Sequence, residues 1–133
     1  MEQKLRILEK QTQELKKYNR AAFEQFTTRT RQDNYQTDFY HEVKPFADRV
    51  QRLIDQWKPL ADDWVRRRRP KYVYPIQIKA TYENLAIVSV TAFQKDTRRR
   101  RFIETVKAID YVLDNMLVQL KSDGDAGASA GHF

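Results

Sequence analysis

Glycine is missing from the first 123 residues of this 133-residue chain: all three glycines, Gly124, Gly127 and Gly131, fall in the last ten. Tight hairpin turns and phosphate-cradling loops use glycine for left-handed backbone and for close approach of the main chain. A chain built this way is not hairpin-rich and holds no Gly-rich nucleotide loop. What remains is helix. The turns are left to Pro45, Pro59, Pro70 and Pro75, all in the middle third. The length suits one domain, since single domains commonly run to about 100–150 residues.

Helical periodicity is present throughout. Leu5, Leu8, Thr12, Leu15, Asn19, Ala22 and Phe26 alternate steps of three and four, which sets one helical face over residues 2 to 30. Ile7, Tyr18 and Phe23 widen it, and Asn19 sits in the seam as a polar register device or near a wet end. Arg31 to Thr37 interrupts the pattern as a loop. Phe39, Val43, Phe46, Val50, Leu53, Trp57, Leu60 and Trp64 then define a second helix over residues 38 to 68, capped by Asp38 or Thr37. Pro45 and Pro59 lie inside it, so one kinked helix is expected, with two helices broken near Pro59 as the alternative.

Pro70 and Pro75 push the residues before them out of helical conformation, making Arg69 to Pro75 a link. Pro75 opens a third helix that runs to Gln94, with Ile78, Tyr82, Leu85, Ser89 and Ala92 on one face and Ile76, Ala80, Ile87, Val88, Val90 and Phe93 widening it. In the fourth, Phe102, Val106, Ile109, Leu113, Met116 and Leu120 repeat the spacing. The tail, Ser122 to Phe133, is small and polar and reads as flexible. The expectation is an all-α, antiparallel up-down-up-down four-helix bundle with short loops over residues 1–121, followed by the tail.

Charge narrows the function. The chain has no Cys, which removes disulfides and thiolate metal sites, and only two His. Net charge is +7, from 25 Lys and Arg against 18 Asp and Glu. Arg66, Arg67, Arg68, Arg69 and Lys71 form one cluster, and Arg98, Arg99, Arg100 and Arg101 another. Removing those nine charges from the +7 leaves −2, so the basicity is two clusters on a nearly neutral body. The charged N-terminus lacks a signal-peptide core, and no stretch approaches the ~18 apolar residues of a membrane span. A cytoplasmic protein without membrane contact is expected.

Catalytic and metal patterns are weak. Neither His41 nor His132 stands in a Glu-x-x-His pair, and Asp38 with His41 makes only a solvated surface pair at a helix end. A Ser/Thr–His–acid arrangement has only Thr37 near His41, and Asp62–Asp63 face solvent. No enzyme activity and no cofactor are expected.

The arginine runs differ from each other electrostatically. Cations ending helix two complement its dipole by about 0.3–1 kcal/mol each, so Arg66 to Arg69 need no ligand. Cations opening helix four oppose its dipole by a similar amount, partly offset by Asp96 and Glu104. Arg98, Arg99 and Arg101 read either as a solvated basic turn or as an anion site. Tyr72 and Tyr74, beside Arg69 and Lys71, either cover the bundle's end or stack on bases or on a partner peptide. The two clusters lie at opposite poles, roughly 40 Å apart, and do not form one groove.

Arg68-Arg69-Pro70-Lys71-Tyr72-Val73, Gln77-Ile78 and Tyr82-Glu83-Asn84, followed by the Arg98–Leu117 segment, resemble the YppE-like family of small bacterial proteins. So does the Phe39–Val50 segment around Lys44-Pro45. The likeness covers Asp38 to Lys121, and the first helix agrees only in general character. It implies an antiparallel four-helix fold and brings no activity with it. Family members often carry His where this chain has Tyr74, so an imidazole role there is absent. The expected function is a non-catalytic protein-interaction module, whose partner is another protein or a second copy of the chain. The alternative is a nucleic-acid or phosphoanion-binding module using Arg66–Arg69 and Arg98–Arg101.

Overall fold

The computed structural model describes residues 2–130, of which 124–130 are described as backbone alone. Four helices account for most of it: α1 (Glu2–Glu24), α2 (Lys44–Arg68), α3 (Pro75–Thr91) and α4 (Arg99–Ala130). Two wider π-helical turns adjoin them, Gln25–Thr30 ending α1 and Phe39–Val43 opening α2. At the first, the Thr27 and Thr28 hydroxyls bond the carbonyls of Phe23 and Glu24, competing with the backbone ladder where the winding loosens. At the second, the Asp38 carboxylate caps the turn by accepting the His41 backbone N–H at 3.1 Å. Thr37 instead donates its hydroxyl to the Phe93 carbonyl at 2.8 Å.

Cross-helix contacts fix the sense of each neighbour. Tyr18 meets Phe46 and Thr12 meets Trp57, so α1 and α2 are antiparallel. Lys16 pairs with Asp114, Asn19 bonds Asp110, and Phe26 packs on Phe102, which sets α4 antiparallel to α1. Phe46 against Phe93 and Gln51 against Tyr82 do the same for α2 and α3. All seven seam residues of α1 and all six of α4 are buried. Trp57 sits at the centre, fully buried, its indole N–H donating to Thr12 Oγ1 at 3.1 Å while Thr12 donates to the Leu8 carbonyl. Asn19 is a register device: its amide nitrogen bonds the Val106 carbonyl at 3.0 Å and the Asp110 carboxylate at 2.9 Å.

α2 continues through Pro59 as the single helix expected, so the broken alternative does not hold, and Pro45 sits in its first turn directly behind the π-helical one. Three expectations change. Phe39 is 54% exposed, because it opens the π-helical turn and its ring rests edge-on against Tyr40 rather than in the core. Ile76, Ala80 and Ile87 are exposed, on the outer side of α3. α4 passes Lys121 and runs to Ala130, with Asp123 accepting the Trp64 indole N–H at 2.8 Å. Glycine costs a helix only about 1 kcal/mol relative to Ala, so a small-residue composition does not by itself end one. Residues 131–133 of the expected tail lie outside the described residues.

Candidate functional site

The α2–α3 link is built without glycine, and two other residues take left-handed conformations. Arg69 ends α2 at φ 44°, ψ 58°, its N–H bonding the Val65 carbonyl at 3.0 Å, and Tyr72 has φ 66°. The link is clamped to α4. Gln119 Oε1 accepts the Lys71 backbone N–H at 2.9 Å, and the Gln119 amide nitrogen donates to the Lys71 carbonyl. Val73 is buried, and Tyr74 starts α3, its N–H donating to Gln77 Oε1 at 2.8 Å. Beside this corner opens a cleft of about 760 Å³. Its floor is apolar, from Val65, Pro70, Val73 and Pro75, and Arg66, Arg69, Lys58, Lys79 and Tyr74 also line it.

Arg66 to Arg69 are one cluster in the sequence, and the structure divides them. A helix turns about 100° per residue, so four consecutive side chains fan right around the axis. Arg66 and Arg69 line the cleft, whereas Arg67 and Arg68 border α1 beside Lys4 and Leu5. Asp63 accepts from Arg66 at 2.6 Å and from Arg67 at 3.0 Å, and these bonds hold its carboxyl below the usual carboxylate range. Asp62 pairs with Lys58 at 2.7 Å. The two carboxylates expected to face solvent are thus partners of basic residues. Lys71, Tyr72 and Tyr74 are all exposed, and of these only Tyr74 reaches the cleft.

The opposite pole repeats the pattern. Arg98 and Arg101, also three apart, line an open cleft of about 390 Å³ between α3 and α4, with Asp96 on its rim. Arg100 turns to Glu104 at 3.2 Å. Among the described residues, Arg98, Arg99 and Arg101 make no ion pair, although Arg99 does not line this cleft.

Lys58 and Lys79 are cleft residues that the charge runs concealed. The signal was available as spacing: Lys58, Asp62, Arg66 and Arg69 form one stripe along α2, and Lys79 lies in the first turns of α3. Elsewhere, the His41 ring Nδ1 lies 3.0 Å from Asp38 Oδ2 as an exposed pair. No group of three or more metal-ligating side chains occurs among the described residues. Among them, no helix is long and apolar enough to cross a membrane.

Fold and corners together define a small all-helical bundle with a basic cleft at each pole. The chain belongs to the family described as a bacterial domain of unknown function (DUF1798), which matches residues 12–120. It is 28% identical over 80 residues to the uncharacterized protein YppE of Bacillus subtilis (strain 168). That match covers 60% of this chain and 65% of YppE, just under two thirds of the relative's length. The fold is similar to that of a protein of unknown function from Listeria innocua, with TM-score 0.87, 26% identity, and 94% and 99% of the two chains covered. The crystal structure of yppE from Bacillus subtilis is similar at TM-score 0.84 and 20% identity, covering 90% of this chain and 97% of that one. The YppE-like resemblance carried by the residues of α2 to α4 therefore holds, and it brings a fold without an activity.

Proposed function

We propose that the protein is a non-catalytic interaction module that binds another protein chain on the outer side of α3. One observation carries the reading. α3 carries large apolar residues on both sides, yet only the side bearing Ile78, Leu85 and Val88 is buried. On the other, Ile76 is 76% and Ile87 54% exposed, with Ala80 and the exposed Glu83 between them at helical spacing. Two large aliphatic side chains uncovered on one side of a helix, with a single charge between them, are suited to a partner.

The double variant Ile76→Glu/Ile87→Glu tests this. Both side chains are exposed, so the thermal melt should stay close to wild type. Capture from a bacterial cell extract, with nuclease present, should lose the partners that wild type retains. Sedimentation of the purified protein separates self-association from a second protein. Identical capture and identical sedimentation by the two forms would overturn the proposal.

A second reading has its own support. Arg98 and Arg101, which make no ion pair among the described residues, favour a phosphoanion on the α3–α4 cleft. Phosphate should then raise the melting temperature above that in chloride of matched ionic strength, and Arg98→Gln/Arg101→Gln should remove the effect.

A further inference from the structure

We propose that the α2–α3 corner cleft receives an acidic peptide segment of the partner protein. The apolar side chains of that segment sit on the Val65, Pro70, Val73 and Pro75 floor, and its carboxylates meet Arg66, Arg69 and Lys79. This rests on the reading of the protein as an interaction module and specifies the chemistry of its partner.

Charge is the first argument. The cleft is lined by four cations and one carboxylate, Asp62, which is already paired with Lys58. The lining thus carries a net +3. Arg66 bonds Asp63 only at the surface, an arrangement that a competing carboxylate can exchange. Shape is the second. The floor is aliphatic and proline-rich beneath an open cleft of about 760 Å³, a surface that suits apolar side chains better than a continuous phosphate backbone.

The backbone supplies the third argument. Arg69 is held in a left-handed conformation that glycine adopts without steric cost. Strained residues of this kind persist where the surroundings over-determine them, and they cluster at ligand-binding positions. Here the arginine side chain reaches the cleft rim from that strained position. The rim is also preorganised, since the Gln119 clamp on Lys71 and the buried Val73 hold the link in place before any ligand arrives.

Fluorescence anisotropy with a short labelled peptide alternating Glu and Leu tests the cleft. Wild type should bind it, and the Gln/Leu analogue should bind about tenfold more weakly or worse. Arg66→Gln/Arg69→Gln should lose affinity for the Glu/Leu peptide by a similar factor. Arg69→Gly should also weaken binding while raising the melting temperature, a combination that a purely structural arginine would not produce. Three results overturn the proposal: no binding of the Glu/Leu peptide by wild type, equal binding of the two peptides, or tighter binding of oligothymidylate than of the Glu/Leu peptide. The Ile87→Glu substitution lies outside the cleft. If it abolishes partner capture while the Glu/Leu peptide fails to bind, the interaction module stands and the acidic segment falls.

Discussion

Replacing Arg69 with glycine should make the protein more stable, although it deletes a long side chain. At φ 44°, ψ 58° the arginine Cβ crowds its own backbone, which costs a non-glycine residue about 1–2 kcal/mol. Glycine removes that cost and adds about 0.4–1 kcal/mol of conformational entropy to the unfolded chain. The net gain is about 0.5–1 kcal/mol, worth about 2–4 °C in melting temperature for a chain of this size. The Arg69 charge at the C-terminal end of α2 opposes it by about 0.3 kcal/mol, the small value of an exposed site, which keeps the gain at the lower end of that range. Its N–H bond to Val65 belongs to the backbone and is kept. Circular dichroism melts and urea titrations of matched variants measure the effect. Two controls give it a sign. Arg69→Ala keeps the Cβ and should show no gain, while Arg68→Gly, one residue earlier and inside α2, should lose about 1 kcal/mol. A destabilised Arg69→Gly, or an Arg69→Ala as stable as the glycine variant, would refute the strain argument.

Three further outcomes follow from the buried polar network, the clamp and the shifted tyrosines. Thr12→Val should cost about 1–3 kcal/mol, because it strands the Trp57 indole N–H in the core, whereas a valine of the same shape is otherwise tolerated; chemical denaturation measures it. Gln119→Ala should leave the global melt nearly unchanged but speed hydrogen exchange at the Lys71 amide, which loses its acceptor. Burial and the nearby Glu42 push the Tyr35 phenol up, and a hydrogen bond to Asp55 does the same for Tyr82. With both folded values raised, their stabilisation is intact below the ordinary tyrosine pKa and is lost as pH rises through the folded ones. Tyr35→Phe and Tyr82→Phe should each delete a late step from the alkaline absorbance titration.

Legibility in the sequence tracked the asymmetry of each helix. In α1 and α4 one stripe is apolar and the opposite side charged, so every residue named by the spacing of Leu5 to Phe26 and of Phe102 to Leu120 is buried, with Val112 the buried α4 residue that the stripe leaves out. α3 has apolar residues all round, and periodicity cannot say which side faces in; Ile76 and Ile87 were placed in the wider core face and lie outside. The π-helical turn at Phe39 rests on the Asp38 side-chain cap and on backbone bonds to the Asp38 and Phe39 carbonyls, none of which leaves a periodic trace. The clefts were legible only in part. Counting arginines found both poles, but the count could not reveal that each run fans around its axis and sends two of four side chains to the cleft.

That division limits what the basic charge can do. α2 has 25 residues and rises about 38 Å, so the Arg66–Arg69 and Arg98–Arg101 clefts stand apart by about eleven base-pair steps of duplex. A duplex laid along the bundle presents about 22 phosphates over that length, and the cleft cations Lys58, Arg66, Arg69, Lys79, Arg98 and Arg101 reach six at most. Since each neutralised phosphate contributes about −0.9 to the slope of log affinity against log salt, six contacts give a slope no steeper than about −5.4. An acidic peptide held by Arg66, Arg69 and Lys79 over an apolar floor should show a much shallower dependence, because part of its binding is area removed from water. Affinity for the Glu/Leu peptide and for duplex DNA, measured from low to physiological salt, therefore separates the two uses. A slope for DNA well beyond about −5.4 would mean that cations outside the two clefts form a continuous track, and the account of two discrete corners would fail.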